Sequence, residues 1–239
     1  MKWQDVRRDL PLASDRGSDP TLLDRLSSHP DWEVRGAVAK NPTTRPQTLH
    51  KLALKYNTDN LIGISVAENP STEPRTLKVL GLRHPWPWVR IRAAEHPNSP
   101  ANLLEQLAKD PREDIRAAVA RNPSVSIELL YTLSRDRHID VRESVLTDHK
   151  TPIEILLNLR KDDSKYIRDL ALEIIKYRIE EADPQERERI ERASSMSDIG
   201  INYFSNEIDL DDLDSIDLGE SRRAVERFKI WESLLRHRS

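Results

Sequence analysis

Short runs of apolar residues spaced i, i+3, i+4 recur along the chain, four of them closed by a proline. Val34, Ala37 and Val38 form one run, and Ile115, Ala118 and Val119 form another. This spacing lines one face of a helix of about two turns. Asp31 and Asp110 stand before these runs in the N-cap role, and Pro111 suits a first helical position. Pro42, Pro70, Pro97 and Pro123 end the runs, because each pushes the residue before it out of the α region. A second apolar pair follows each corner, often after a Ser/Thr-Pro start such as Ser99-Pro100 or Thr151-Pro152. The pairs are Leu49/Leu52, Leu77/Leu80, Leu104/Leu107, Leu130/Leu133 and Leu156/Leu159, with Leu23/Leu26 ahead of the first clear run. The pattern predicts alternating short helices.

The runs are copies of one unit. Val34-Arg35-Gly36-Ala37-Val38-Ala39-Lys40-Asn41-Pro42 returns as Ile115-Arg116-Ala117-Ala118-Val119-Ala120-Arg121-Asn122-Pro123. Weaker copies begin at Ile62 and Val89, and two more, at Val141 and Ile167, lose the Asn-Pro end. The anchors at 34, 62, 89, 115, 141 and 167 are 28, 27, 26, 26 and 26 residues apart. A unit this small cannot bury its apolar stripe alone, so neighbours must stack. The small residues Ala37, Ala39, Ala118 and Ala120 allow that close approach. An all-α solenoid of short helix pairs is predicted, with about six repeats of 26–28 residues.

From about Asp19 to Lys176 the units resemble the leucine-rich repeat variant family, which reads roughly D-P-x-x-x-V-R-x-A-V-A-x-N-P-x-T-P-x-x-L-x-x-L. The resemblance implies α-helices alternating with 3-10-type helices in a right-handed superhelix related to HEAT and armadillo solenoids. Some family members carry a cysteine-ligated iron–sulfur cluster, which this cysteine-free chain has no ligands for. The expected layout is an N-terminal cap over 1–18, the solenoid over 19–176 and a capping helix over 177–193. An acidic linker or docking segment follows over 194–219, then an amphipathic helix over 220–239.

Composition agrees with a thin solenoid: of 239 residues, 37% are hydrophobic and 33% charged. The absence of cysteine excludes disulfides, thiolate catalysis and Cys-ligated metals. Residues 1–176 carry a net +3 and residues 177–239 a net −6. Neither value announces nucleic acid. Met1–Leu10 is charged with no apolar stretch behind it, and no run approaches the ~20 apolar residues of a membrane span. The expectation is a soluble cytoplasmic protein with no membrane contact. No catalytic or phosphate-binding motif is present, and no metal site or cofactor is expected. Several histidines sit at repeat corners, with His29 and His84 before proline and His96 in the place of Asn41, where they suit bonding to helix ends.

Two constellations are candidates for binding. One is the Arg that follows the core Val or Ile: Arg35, Arg90, Arg116, Arg142 and Arg168, with Gly63 breaking the series. Two roles fit it. The guanidiniums form a cationic stripe for an acidic peptide or phosphate backbone, or they pack between helices and cap carbonyls. The other is Arg83-His84-Pro85-Trp86-Pro87-Trp88-Val89-Arg90-Ile91-Arg92. Trp86 aligns with Asp31, Arg112 and His138, and Trp88 with Glu33, Asp114 and Asp140. Two Trp in polar slots beside Arg83, Arg90 and Arg92 have the composition of an interface hot spot, or of a base-stacking platform. Alternatively, Trp88 folds onto the adjacent corner as filler.

Glu207–Leu218 interleaves Ile208, Leu210, Leu213, Ile216 and Leu218 with six acids and no base. This fits a segment that docks on a basic, apolar groove, in a partner or on this protein's own Arg series. In Glu220–Arg238, Val225, Phe228, Trp231 (or Leu235) and Leu234 fall roughly on one helical face, for a partner, a second copy or the last repeat. The expected function is a non-catalytic scaffold for a protein partner, with nucleic acid as the alternative ligand.

Overall fold

The computed structural model describes residues 3–185, 187, 188, 190 and 192. Segments 194–219 and 220–239, with Ile208, Leu210, Leu213, Ile216, Phe228 and Trp231, lie outside the described residues. The described residues form thirteen α-helices and no strand. Helices of the first kind carry the Val/Ile runs, apart from α1, which packs in the same row without one. They are α1 (Trp3–Ser14), α3 (Trp32–Lys40), α5 (Asn60–Glu68), α7 (Pro87–Glu95), α9 (Glu113–Ala120), α11 (Ile139–Leu146) and α13 (Lys165–Glu181). Helices of the second kind carry the Leu pairs. They are α2 (Pro20–Leu26), α4 (Pro46–Lys55), α6 (Pro74–Arg83), α8 (Ala101–Leu107), α10 (Ile127–Leu133) and α12 (Ile153–Leu159).

The chain divides into two compact units, Met1–Ser126 and Ile127–Ser239. In the N-terminal unit α1, α3, α5, α7 and α9 pack in succession, and α4, α6 and α8 form a parallel row. Val34, Val38, Ile62, Val66, Val89, Ile115 and Val119 are fully buried, as are the Leu pairs of α4 and α6 to within 1%. In the C-terminal unit α10 packs on α11, and both α11 and α12 pack on α13. Val141, Val145, Leu156, Ile167 and Leu170 form its core. The chain is an all-helical repeat protein.

Local chemistry explains the helix ends. Asp31 caps α3 by accepting the Glu33 N–H, and Asp59 caps α5 by accepting from Leu61 and Ile62. Pro46, Pro74 and Pro87 open their helices, where a missing N–H costs nothing. The expectation for Asp110 and Pro111 needs correcting: α9 starts at Glu113 behind Arg112. Asp110 instead accepts the Arg112 N–H at 3.0 Å in a turn just ahead of the helix, which turns its carboxylate toward Arg90. The second helices are α-helical through their bodies, and 3-10 character is found at their ends. In α8 these are Leu103 N–H to Pro100 O and Lys109 N–H to Gln106 O. α13 runs on past the point where earlier first helices stop, because Ile174-Ile175 stands where Asn122-Pro123 stands two repeats earlier.

Candidate functional site

Each first helix has two ends, and their chemistry differs. At the C-terminal end a buried side chain bonds back to the previous repeat. Asn41 Nδ2 donates to Ala13 O and Asp15 O at 2.9 and 2.8 Å. Asn69 repeats this on Ala39 O and Asn41 O, at 2.7 and 2.8 Å. His96 reaches Asn69 O through Nε2 at 3.1 Å, and Asn122 donates to Ala94 O and His96 O. The other polar atom of each side chain accepts the N–H two residues on, from Thr43, Ser71, Asn98 and Ser124. Three residues after Asn41, Asn69 and His96, the Thr44, Thr72 and Ser99 hydroxyls donate to a carbonyl of the preceding helix's last turn. These corners satisfy helix-end groups that have no partner within the helix. In the C-terminal unit, Asp148 accepts from Lys150 N–H, and Arg178 of α13 donates to the carbonyls of Thr151 and His149. A long side chain from one turn further along α13 thus supplies donors to this corner, to Asp148 O at 3.4 Å as well as to the two carbonyls beyond it.

At the N-terminal end the recurring Arg is used by the fold. Arg35 Nη1 donates to His29 O and Pro30 O, Arg90 to His84 O, and Arg116 to Asp110 O and Pro111 O. In the C-terminal unit Arg142 donates to Asp136 O, and Arg168 to Asp162 O and Asp163 O. Arg116 is only 5% exposed. The Arg slot also faces the residue 20 or 21 positions later, and that pair varies. Arg142 and Asp162 form a bidentate pair at 2.7 and 2.8 Å, and Arg90 Nε lies 3.4 Å from Asp110. The Arg35 guanidinium sits 4.4 Å over the Tyr56 ring. Asp9 of α1 faces His29 at 3.7 Å, with Arg8 holding its carboxyl below the usual carboxylate range. Gly63 leaves room for the His84 ring, whose Nε2 would lie 2.8 Å from a Cβ at position 63. The break in the Arg series is therefore a compensated exchange. Burial pushes the pKa of His84 down, with Asp59 and Arg90 acting in opposite senses, and burial does the same to His96.

Next to these corners the N-terminal unit exposes apolar side chains. Trp86 is 48% and Trp88 62% exposed. The Trp86 indole N–H donates to Thr58 O at 3.1 Å, which fixes one ring against the preceding corner. Leu61, 50% exposed, occupies the slot of Trp88 one repeat earlier. Trp32 in α3 and Leu54 and Leu82 at the ends of α4 and α6 are also exposed. Arg83 ends α6 with an exposed side chain beside Trp86 in sequence. Arg92 lies on the far turn of α7, tied to Glu68 at 3.1 Å and Glu95 at 2.7 Å in a network that includes Arg121. The structure thus separates the residues of the Trp/Arg stretch. Trp86 and Trp88 are outward, Arg90 is held in its corner, and Arg92 belongs to a surface ion-pair network.

The equivalent edge in the C-terminal unit is charged. Ser134–His138, Asn158, Leu159 and Lys161–Ser164 border a groove of about 820 Å³ with Arg142 and Asp162 in its wall. Sequence reasoning missed this groove, Trp32 and Leu61. Trp32 sits one position off the slot of Trp86, so alignment of repeats hid it. Among the described residues no cluster of His, Asp or Glu can hold a metal ion, and no helix is long and apolar enough to cross a membrane.

No family model and no curated protein matches the chain. Among solved structures it is similar to one described as a leucine-rich repeat variant with a novel repetitive protein structural motif. That chain is 24% identical, with 73% of this chain and 81% of that chain covered at a TM-score of 0.45.

Proposed function

We propose that this chain is a non-catalytic scaffold that holds a protein partner on the apolar corner edge of its N-terminal unit. Trp86 and Trp88 are the anchors, Leu61 extends their surface, and Arg83 supplies charge at its border. The supporting observation is the exposure of Trp88, 62% on a helix whose other apolar side chains are buried. An indole with half its surface in water stabilises the free protein little, whereas a desolvated Trp is a frequent source of binding energy. The guanidiniums of Arg90, Arg116 and Arg142, which a phosphate-binding reading would need, are engaged with carbonyls or carboxylates of their own repeats. This favours protein over nucleic acid.

The test compares the full chain with Trp86→Ala and Trp88→Ala in affinity capture from native lysate, with and without nuclease, beside thermal melts. The expected result is a captured protein whose affinity falls by about thirtyfold in Trp88→Ala, equivalent to about 2 kcal/mol, with the melting temperature retained. Capture that ignores both substitutions, or that vanishes with nuclease, overturns the reading.

A further inference from the structure

The groove in the C-terminal unit has an excess of uncompensated positive charge. Its deeper ion pair is complete, since Asp162 accepts both Nε and Nη2 of Arg142 and also the Ser164 N–H. Asp136 uses its Oδ1 on the His138 N–H. On the rim, Arg137 and Lys161 are exposed and form no ion pair among the described residues, and Asp163, also exposed, is the acid that stands against them. Arg135 rests on the Tyr131 ring at 3.8 Å, which leaves its charge unneutralised. Ile139, partly exposed, and the buried Leu159 line the groove with apolar surface between these cations.

The same chain carries a segment of complementary composition. Glu207–Leu218 has six carboxylates, no base and five aliphatic residues between them. The groove lies at the N-terminal end of α13, beside Ser164. The chain leaves α13 at Glu181, about 25 Å away for a helix of 17 residues. The helical stretch up to 192 adds at most about 14 Å. Residues 193–206 can span about 46 Å, so the acidic segment can return to the groove whatever direction the chain takes. Tethering at that length supplies an effective concentration of the order of millimolar.

We infer that Glu207–Leu218 docks intramolecularly in this groove, its carboxylates on Arg137, Lys161 and Arg135 and its aliphatic residues on Ile139 and Leu159. The inference is independent of the Trp edge. It makes the groove a self-occupied site that an external acidic, aliphatic protein segment reaches by competition.

Carbodiimide coupling, which joins a lysine to a carboxylate only when they touch, tests this on the full chain in a mixture of isotopically heavy and light protein. Lys161 is expected to couple to the acids of 207–218 within single chains, with the yield falling severalfold in 1 M salt. Arg137→Glu should lower that yield about fivefold without changing the melt, and adding Asp211→Lys and Asp212→Lys should restore it. Coupling spread over lysines of both units with no preference for Lys161 overturns the inference. So does indifference to Arg137→Glu. Coupling confined to heavy–light pairs also overturns it, and makes a second copy the occupant.

Discussion

The two ends of a first helix obey different rules. At the C-terminal end, in the N-terminal unit, the side chain is Asn41, Asn69, His96 or Asn122, always at most 6% exposed and always bonded to a carbonyl of the preceding repeat. At the N-terminal end the pairs run Asp9 with His29, Arg35 with Tyr56, Gly63 with His84 and Arg90 with Asp110, all different. Beside them the surface carries Trp in one repeat and charge in the next. The first end stacks repeats, where an unmet buried polar group is costly, so the residue type hardly changes. The second end is partly open to water and tolerates several solutions, which leaves it available for recognition.

The sharpest way to break this comparison is to remove a stacking residue. Asn122→Ala leaves Ala94 O, His96 O and the Ser124 N–H without their partner in a fully buried corner. The expected cost is about 3 kcal/mol, seen as a melting temperature lower by about 9 °C. A loss under 1 kcal/mol would mean the corner is not what joins the repeats. At the other end Gly63 is an intolerant position. A Cβ there meets His84 Nε2 at 2.8 Å and Val89 Cγ2 at 2.9 Å, so Gly63→Ala should cost about 2 kcal/mol in urea unfolding. A neutral result would show that His84 moves aside freely.

The comparison also has a pH signature, because histidine occurs at both ends of α7. His84 Nδ1 accepts the Trp86 N–H, and His96 Nδ1 accepts the Asn98 N–H, so both rings must be neutral on that nitrogen. Burial lowers both pKa values below the ordinary 6.5. The unfolded chain then binds more protons than the folded chain just below pH 6.5. Stability is therefore complete above that pH and declines as the pH falls toward the depressed folded values. The urea midpoint at pH 5.5 should lie below that at pH 7.5, and His96→Asn, which restores the residue of the other corners, should shrink the difference. An unchanged difference in that variant would assign the effect elsewhere.

The sequence shows the stacking end well and the other end poorly. Period, proline corners and Leu pairs suffice for the twelve helices α2 to α13, because each signal is local, while α1 carries neither a run nor a pair. Asn41 and Asn122 were visible only as residues before proline; their bonds reach 26 to 28 residues back, which periodicity does not display. The Arg series was visible with both of its roles open, since choosing between them needs the carbonyls that the chain folds back to offer. The Gly63–His84 exchange reads in sequence as two unrelated departures, and only their contact shows that one compensates the other.

The smallest expected effect on stability is the one that bears most on function. Trp88 touches water over 62% of its surface and makes no hydrogen bond through its indole among those described, while Trp86 bonds Thr58 O. Trp88→Ala should then change stability by no more than about 0.5 kcal/mol, and Trp86→Ala by about 1 kcal/mol for the lost bond and partial burial. This ordering separates recognition from filling at adjacent positions. If Trp88→Ala instead lowered the melting temperature as Asn122→Ala does, the ring would be a packing element of the corner. The exposed edge would then share the rule of the buried one, and the case for a partner at Trp88 would be lost.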